Sequence, residues 1–327
     1  MAGSNVCVGI DAGTKSSKLG YSDSLSTRII ASPDGFDINA LREEAEVFFD
    51  EPVFSCVIAI PESFSRRQRE DIMFNAKSKG FSGDTELITS HEAMRLILPE
   101  DENILICDMG ASKTDFVFLN HGDILFSEFL DDVSGDSFDR TFSEYIADLR
   151  LIDVDDVLLR EAMRIKHVLS ERENLRWHER EITRDDFERL IYFPVKRASH
   201  TADKLLRVYK PESFIMTGGV CNVPLVRKIF AGISPDIQPE FDMNIIVKGA
   251  AEKARSLSKE SRHNAKVNIA AKLQELRAGI IEVEDMLTRS QKDRLYAMFK
   301  QTEGMNDSGS MTLMENLIRE IKNASSR

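Results

Sequence analysis

The chain has 327 residues, 42% hydrophobic and 30% charged, with a formal net charge of -12; that gives room for two compact lobes and a small appendage of ordinary globular composition. So acidic a surface repels a phosphate backbone, which argues against nucleic-acid binding but not against a small phosphate ligand held by backbone amides. No charged segment followed by a long apolar core opens the chain and no apolar run approaches a membrane span, so a cytoplasmic protein without a signal peptide or membrane contact is expected.

In chain order, Val6 to Ile10 reads as a short buried strand stopped by Asp11-Ala12-Gly13-Thr14. A second strand runs through Lys18 to Tyr21 and a third covers Thr27 to Ala31. A helix is expected over Ile38 to Phe49, with Leu41, Ala45 and Phe48 on one side. Val57 to Ile60 is a strand closed by Pro61, which cannot donate to a ladder. Ser65 and Gln68 have capping-box spacing, and their helix should stop at Gly80. Asn103 to Cys107 is another buried strand, and Asp115 to Leu119 and Ile124 to Phe129 form a hairpin around Asn120-His121-Gly122. About 136 to 208 is expected to be mainly helical; a strand at Phe214 to Met216 and a helix near Val223 to Phe230 follow. Cys7, Cys56, Cys107 and Cys221 each sit in or beside an apolar run, with no metal-ligand spacing, and should be reduced and buried.

From about 250 the chain becomes charged and helix-like. Ile269, Leu273, Leu276, Ile280, Val283 and Leu287 alternate at spacings of four and three, which makes one helical stripe. Leu295, Met298 and Phe299 suggest a second helix, Gly304 to Ser310 a linker, and Leu313, Leu317 and Ile321 a third helix, together a small bundle.

Three junctions share one design, in which an apolar strand runs into an acidic residue or a glycine pair and then into small residues. They are Val8 to Thr14, Ile106 to Ser112 and Ile215 to Val220. Glycine there lets the backbone turn sharply and approach a ligand, and successive amides in such turns cradle phosphate oxygens. An aspartate at a strand end can hold a hydrated divalent ion that accompanies the phosphates. Neither G-x-x-x-x-G-K-[ST] nor G-x-G-x-x-G occurs, so the order of the three junctions carries the argument.

GIDAGTKSSKLGY resembles the first phosphate loop of the actin, sugar-kinase and heat-shock ATPase superfamily. The segments CVIAIPESFSRRQREDIMFNAKSKGF, ILICDMGASKTDFVFL, VSGDSFDRTFSEYI, EAMRIKHVLS, FIMTGGVCNVPLVRKIF and IIVKGAAEKA then resemble, in family order, parts of the DnaK-type chaperone nucleotide-binding domain. Together they span about residues 5 to 255. The resemblance implies an α/β two-lobed actin-like ATPase fold, a duplicated ribonuclease-H-like architecture, with a C-terminal α-helical bundle. Its lobes would be 1–115 and 116–255, with 256–327 a helical tail. It implies ATP or ADP with Mg2+ as ligands. Asp11 and Asp108 would lie near the metal, through water. Gly13, Thr14 and Gly110 would belong to the phosphate loops, Gly135, Gly218 and Gly219 would flank the nucleotide, and Lys166 and Ser170 would touch ribose and adenine. Lys18 matches a phosphate-binding position of actin and several sugar kinases, while Lys15 and Lys113 could add charge at the phosphates.

The departures from the family are as specific. The subdomain that carries a phosphate-positioning lysine is absent between the third strand and the helix at 38 to 49. Lys15 follows Thr14 where the family has a second threonine; Ala111, Ser112 and Lys113 replace Gly-Gly-Thr; Ser90 replaces a glutamate near the metal water, with Glu92 two residues on. Met163, Asn222 and Met243 replace a glutamate, an arginine and an aspartate. MLTRSQKDRLYAMFKQ resembles the chaperones' helical lid, and no peptide-binding β-sandwich is expected before it. Phosphoryl transfer rests on positioning and charge stabilisation. The expectation is therefore a nucleotide-responsive, chaperone-like switch with protein partners and at most weak ATPase activity. The alternatives are a non-catalytic scaffold, an actin-like filament protein and, least favoured, a small-molecule kinase.

Overall fold

The computed structural model describes residues 6–23, 26–31, 35–283, 287–305, 315–316 and 318–319. Its chain divides into two units, 1–255 and 256–327.

The first unit holds two five-stranded sheets. In one, β1 (Cys7–Ala12), β2 (Ser17–Ser22) and β3 (Thr27–Ala31) form an antiparallel meander. β4 (Ser55–Ile60) adds parallel to β1, and β5 (Thr85–Thr89) parallel to β4, giving the order β3-β2-β1-β4-β5. The second sheet repeats the plan. β6 (Asn103–Met109), β7 (Thr114–Asn120) and β8 (Asp123–Leu130) form the meander. β11 (Ser213–Thr217) adds parallel to β6, and β12 (Pro239–Phe241) parallel to β11. This repeated, mixed α/β plan fits the actin-like ATPase fold. The sheets divide between Thr89 and Asn103, earlier than the expected lobe boundary at 115, because β6 pairs with β7 and β11.

Helices α1 (Ile38–Phe49), α2 (Arg66–Ser78) and α3 (Ser90–Arg95) belong to the first sheet's half. The α2 cap is as expected: Ser65 and Gln68 complete a capping box, and Gly80, at φ 107°, ends the segment in a backbone conformation that side chains resist. The β7–β8 turn places His121 and Gly122 at φ 47° and 79°, the signature of a tight hairpin turn. The second half carries α4 (Gly135–Arg150), α5 (Asp156–Glu171), α6 (Arg184–Tyr209) and α7 (Pro224–Ala231). The stretch from 136 to 208 is mainly helical, as expected, and between α5 and α6 it also holds a separate hairpin, β9 (Asn174–Trp177) and β10 (Arg180–Thr183), turned by His178 at φ 51°. Its apolar members, Leu175, Trp177 and Ile182, are too few to show a period.

Each sheet has its own core. Val8, Ile10, Leu19, Leu41, Ile58 and Phe81 fill the first, and Phe116, Phe138, Phe142, Phe187, Phe214 and Phe230 dominate the second. Full burial of each such side chain stabilises by roughly 1.5–3 kcal/mol relative to leaving it in water. All four cysteines are buried and unpaired, and burial pushes the Cys7 thiol up to about 12. The last long helix, α8 (Ile245–Val283), begins against β1, where a Cβ on Gly9 would lie 2.1 Å from the Ala251 nitrogen. Only a residue without a side chain permits so close an approach.

In the second unit, α8 continues to Val283 and α9 (Arg289–Met305) follows. Leu276, Ile280, Val283, Leu295 and Ile318 bury one another, with Leu273, Leu287, Met298 and Phe299 packed beside them. Gly304 lies inside α9, so the linker expected from 304 cannot begin there; 306–310 lie outside the described residues, as do Leu313, Leu317 and Ile321 of the expected third helix. Among the described residues no helix is long and apolar enough to cross a membrane.

Candidate functional site

The repeated topology brings the C-terminal ends of the central strands together, the place where open α/β sheets bind ligands. β1 and β6 carry Asp11 and Asp108 as their last-but-one residues. Each strand is followed by a four-residue turn into the next strand, Gly13 to Ser16 and Gly110 to Lys113. In the second turn the Gly110 amide donates to the Lys113 carbonyl at 2.9 Å. The amides of Thr14 and Lys15, and of Ala111 and Ser112 at the equivalent positions, meet no acceptor among the described residues. Exposed successive amides of this kind form an anion-binding concavity.

The two aspartates are half-buried, and no described residue donates a hydrogen bond to either carboxylate. Burial raises Asp11 to about 6, while Lys18, its cross-strand partner, opposes the shift. Burial raises Asp108 further, to about 7, with Asp115, Asp11 and Glu62 adding negative charge and Lys113 offsetting part of it. Among the described residues no group of three or more His, Cys, Asp or Glu could hold a metal ion directly. Two carboxylates without donors and a set of open amides fit a hydrated divalent cation better than a directly ligated one.

The lysines around the site all have partners. Lys15 reaches across to Asp136 in the first turn of α4, 3.3 Å away. Lys18 donates to the Met243 carbonyl. Lys113 pairs with Asp115 at 2.7 Å and lies over the Phe129 ring. Gly135, at the start of α4, donates to the Gly110 carbonyl at 3.0 Å, and Asp136 to the Ala111 carbonyl at 2.7 Å, so the α4 N-terminus docks on the second turn.

Gly218 and Gly219 close the far side. Gly218 sits at φ 87°, and a Cβ there would lie 2.4 Å from both the Asp108 Oδ1 and the Met109 carbonyl oxygen. Gly219 is exposed, and a Cβ there would meet nothing within 4 Å. One glycine is therefore packed against the aspartate and its neighbour faces open space.

On α5 the expected adenosine-side residues are engaged within the protein. Lys166 is buried, bonded to Asp139 at 2.6 Å and to the Gly135 carbonyl at 3.4 Å. The Ser170 hydroxyl donates to the Lys166 carbonyl one turn back. The structure thus groups Asp11, Gly13, Thr14, Lys15, Lys18, Asp108, Gly110, Lys113, Gly135, Gly218 and Gly219 at one end of the sheets, with Lys166 bonded to the Gly135 carbonyl and the Ser170 hydroxyl engaged on its own helix.

Sequence reasoning missed Glu62 and His91. β4 ends at Ile60, which pairs with Thr89 of β5, so the residues after each strand meet. Glu62 Oε1 accepts from the His91 amide at 2.6 Å and lies 3.1 Å from His91 Nδ1. Ser90, at the α3 start, spends its hydroxyl on the Ile60 carbonyl at 3.2 Å. The signal was present: Ile58-Ala59-Ile60-Pro61-Glu62 is another apolar strand running into an acidic residue.

No family model matches the chain. Among curated proteins it is similar to a chaperone protein HscA homolog of Rickettsia bellii, 25% identical over 261 residues and 74% of this chain. It is also similar to chaperone protein dnaK1 of Synechococcus elongatus, 24% identical over 68% of this chain. A third relative is hypoxia up-regulated protein 1 of Rattus norvegicus, 26% identical over 72% of this chain. These matches cover 43%, 41% and 29% of the respective relatives, so the chain spans less than half the length of each. The chain is thus similar to part of the length of Hsp70-type chaperones.

Proposed function

We propose that this Hsp70-like chain binds ATP or ADP with Mg2+ at the paired strand ends and works as a nucleotide-responsive, chaperone-like switch toward protein partners, hydrolysing slowly. One observation carries the reading: two half-buried carboxylates without donors, Asp11 and Asp108, stand beside turns whose amides are unengaged. Carboxylates alone would repel phosphates. A hydrated Mg2+ held by them would supply the positive charge that bridges them to phosphate oxygens. In such a complex the amides of Thr14, Lys15, Ala111 and Ser112 would bind phosphate, Lys15 and Lys113 would add charge, and the open face of Gly219 would receive the base and sugar.

Slow hydrolysis follows from the missing phosphate-positioning lysine and from Ser90, whose hydroxyl is committed to Ile60. A second reading, a scaffold that kept the fold without the ligand, draws on the engagement of Lys166 and Ser170 within the protein and on the Lys15–Asp136 pair. Isothermal titration with ATP and ADP, with and without Mg2+, separates the two. The switch requires binding that strengthens with Mg2+; absence of binding under both conditions refutes it in favour of the scaffold.

A further inference from the structure

The carboxylates at the strand ends are not equivalent. Asp108 is pressed by Gly218, and Asp115 is tied to Lys113 at 2.7 Å. Asp11 faces Lys18 across the hairpin. Glu62 is the one that combines a fixed position with a histidine partner and an open oxygen. It stands two residues beyond β4, level with the Gly13–Thr14 turn because Asp11 pairs with Ala59. His91 holds Oε1 through its amide and lies beside it through Nδ1, while Oε2 meets no donor among the described residues. The side chain is 30% exposed, so water reaches it. Glu62 is also close enough to Asp108 for their charges to be felt.

Building on the nucleotide-binding reading, we propose that Glu62, positioned by His91, is the proton acceptor for water attack on the terminal phosphate of a nucleotide bound at this site. The water oxygen bonds to the terminal phosphorus, and the bond from that phosphorus to the bridging oxygen breaks. The diphosphate leaves with that electron pair, and the water's proton passes to Glu62 Oε2, from which solvent removes it. Ser90 cannot take this part, since its hydroxyl is spent on a backbone carbonyl.

Glu62 also anchors the first turn of α3, so the test must separate anchoring from proton transfer. Glu62→Gln does so: a carboxamide oxygen still accepts from the His91 amide but does not take the proton. The experiment uses the full chain, ATP and Mg2+, with protein in excess over nucleotide, and follows phosphate release in a single turnover. Titration and melting temperature are measured alongside. The expected result is slow release by the wild type and release at least about 10²-fold slower by Glu62→Gln, the usual contribution of a general base. ATP affinity and melting temperature should stay at wild-type values. Equal release rates in the two proteins overturn the proposal, as does a wild type that binds ATP and releases no phosphate; in both cases the binding reading stands. A wild type that binds no nucleotide overturns both.

Discussion

Adjacent glycines at the end of β11 should respond in opposite ways to side chains, and the pair separates structure from ligand binding. Gly218 has φ 87° and ψ 153°, a region that is essentially glycine-only and costs other residues roughly 1–3 kcal/mol. Its Cβ would also fall 2.4 Å from the Met109 carbonyl oxygen, a backbone atom that cannot swing aside. Overpacking of that kind costs about 1–3 kcal/mol more. Gly218→Ala should therefore destabilise by roughly 2–6 kcal/mol, which for a unit of this size lowers the melting temperature by about 4–24 °C. At Gly219 an added Cβ meets nothing within 4 Å and the position is exposed, so Gly219→Val should change stability by about 0.5 kcal/mol or less. It fills the opening where base and sugar are placed, so ATP affinity should fall at least about tenfold, or 1.4 kcal/mol. Differential scanning calorimetry and isothermal titration measure the two effects. A Gly218→Ala protein that melts with the wild type refutes the packing argument, and wild-type affinity in a folded Gly219→Val protein refutes the placement of the ligand. Gly13 is a poorer probe, because its Cβ would strike the Ser16 carbonyl oxygen at 2.4 Å and disturb the turn itself.

Asp139→Ala should strand the Lys166 ammonium in the interior, since the two side chains are 7% and 9% exposed. Breaking such a pair costs about 3–5 kcal/mol, measurable by denaturant titration, and a loss below about 1 kcal/mol would show that Lys166 turns outward. Leu276→Ala should loosen the small cluster with Ile280, Val283 and Leu295 by about 2–5 kcal/mol. Hydrogen exchange should then speed up across 273–283 and 289–300 while β1 and β6 stay protected; unchanged exchange in the tail would refute the cluster's role.

The meanders, their stops and the three glycine turns were legible because each rests on local rules: period, turn residues and caps. β5, β12 and the β9–β10 hairpin were not, for a physical reason. Thr85–Thr89 and Pro239–Phe241 are short parallel edge strands, stabilised by β4 and β11 rather than by their own pattern. In the site, Asp11, Asp108 and the glycines declared themselves at strand ends. The engagements of Lys15, Lys18 and Lys166 did not, since their partners Asp136, Met243 and Asp139 are set by tertiary packing, 225 residues away in the case of Met243. Glu62 followed the same strand-end rule as the aspartates and was hidden only by the proline before it.

The duplicated plan isolates the difference between the two aspartates. Asp11 faces Lys18 and Asp108 faces Asp115 at the same register of equivalent hairpins. The first pairing tempers the effect of burial and the second adds to it, which accounts for values of about 6 and about 7 against an ordinary 3.8. The sign for stability follows. A carboxyl raised in the folded state holds its proton there after the unfolded chain has released its own. Unfolding is therefore favoured progressively as pH rises from about 3.8 towards 7, and the whole penalty is present above about 7. Its size for Asp108 is on the order of a few kcal/mol, at 1.36 kcal/mol for each unit of pKa. Asp108→Asn keeps the shape and removes the titration. Its melting temperature should exceed that of the wild type at pH 8, and the excess should shrink by pH 5, where the folded wild type is already protonated at this position. An equal difference at both pH values, or a variant less stable at pH 8, would mean that Asp108 is not held in the environment described. The same substitution removes one of the two carboxylates assigned to the hydrated cation. If the site works as proposed, the variant that gains stability at pH 8 should lose most of the Mg2+ dependence of ATP binding. Those opposite movements are expected of a charge kept at a functional site against the interest of the fold.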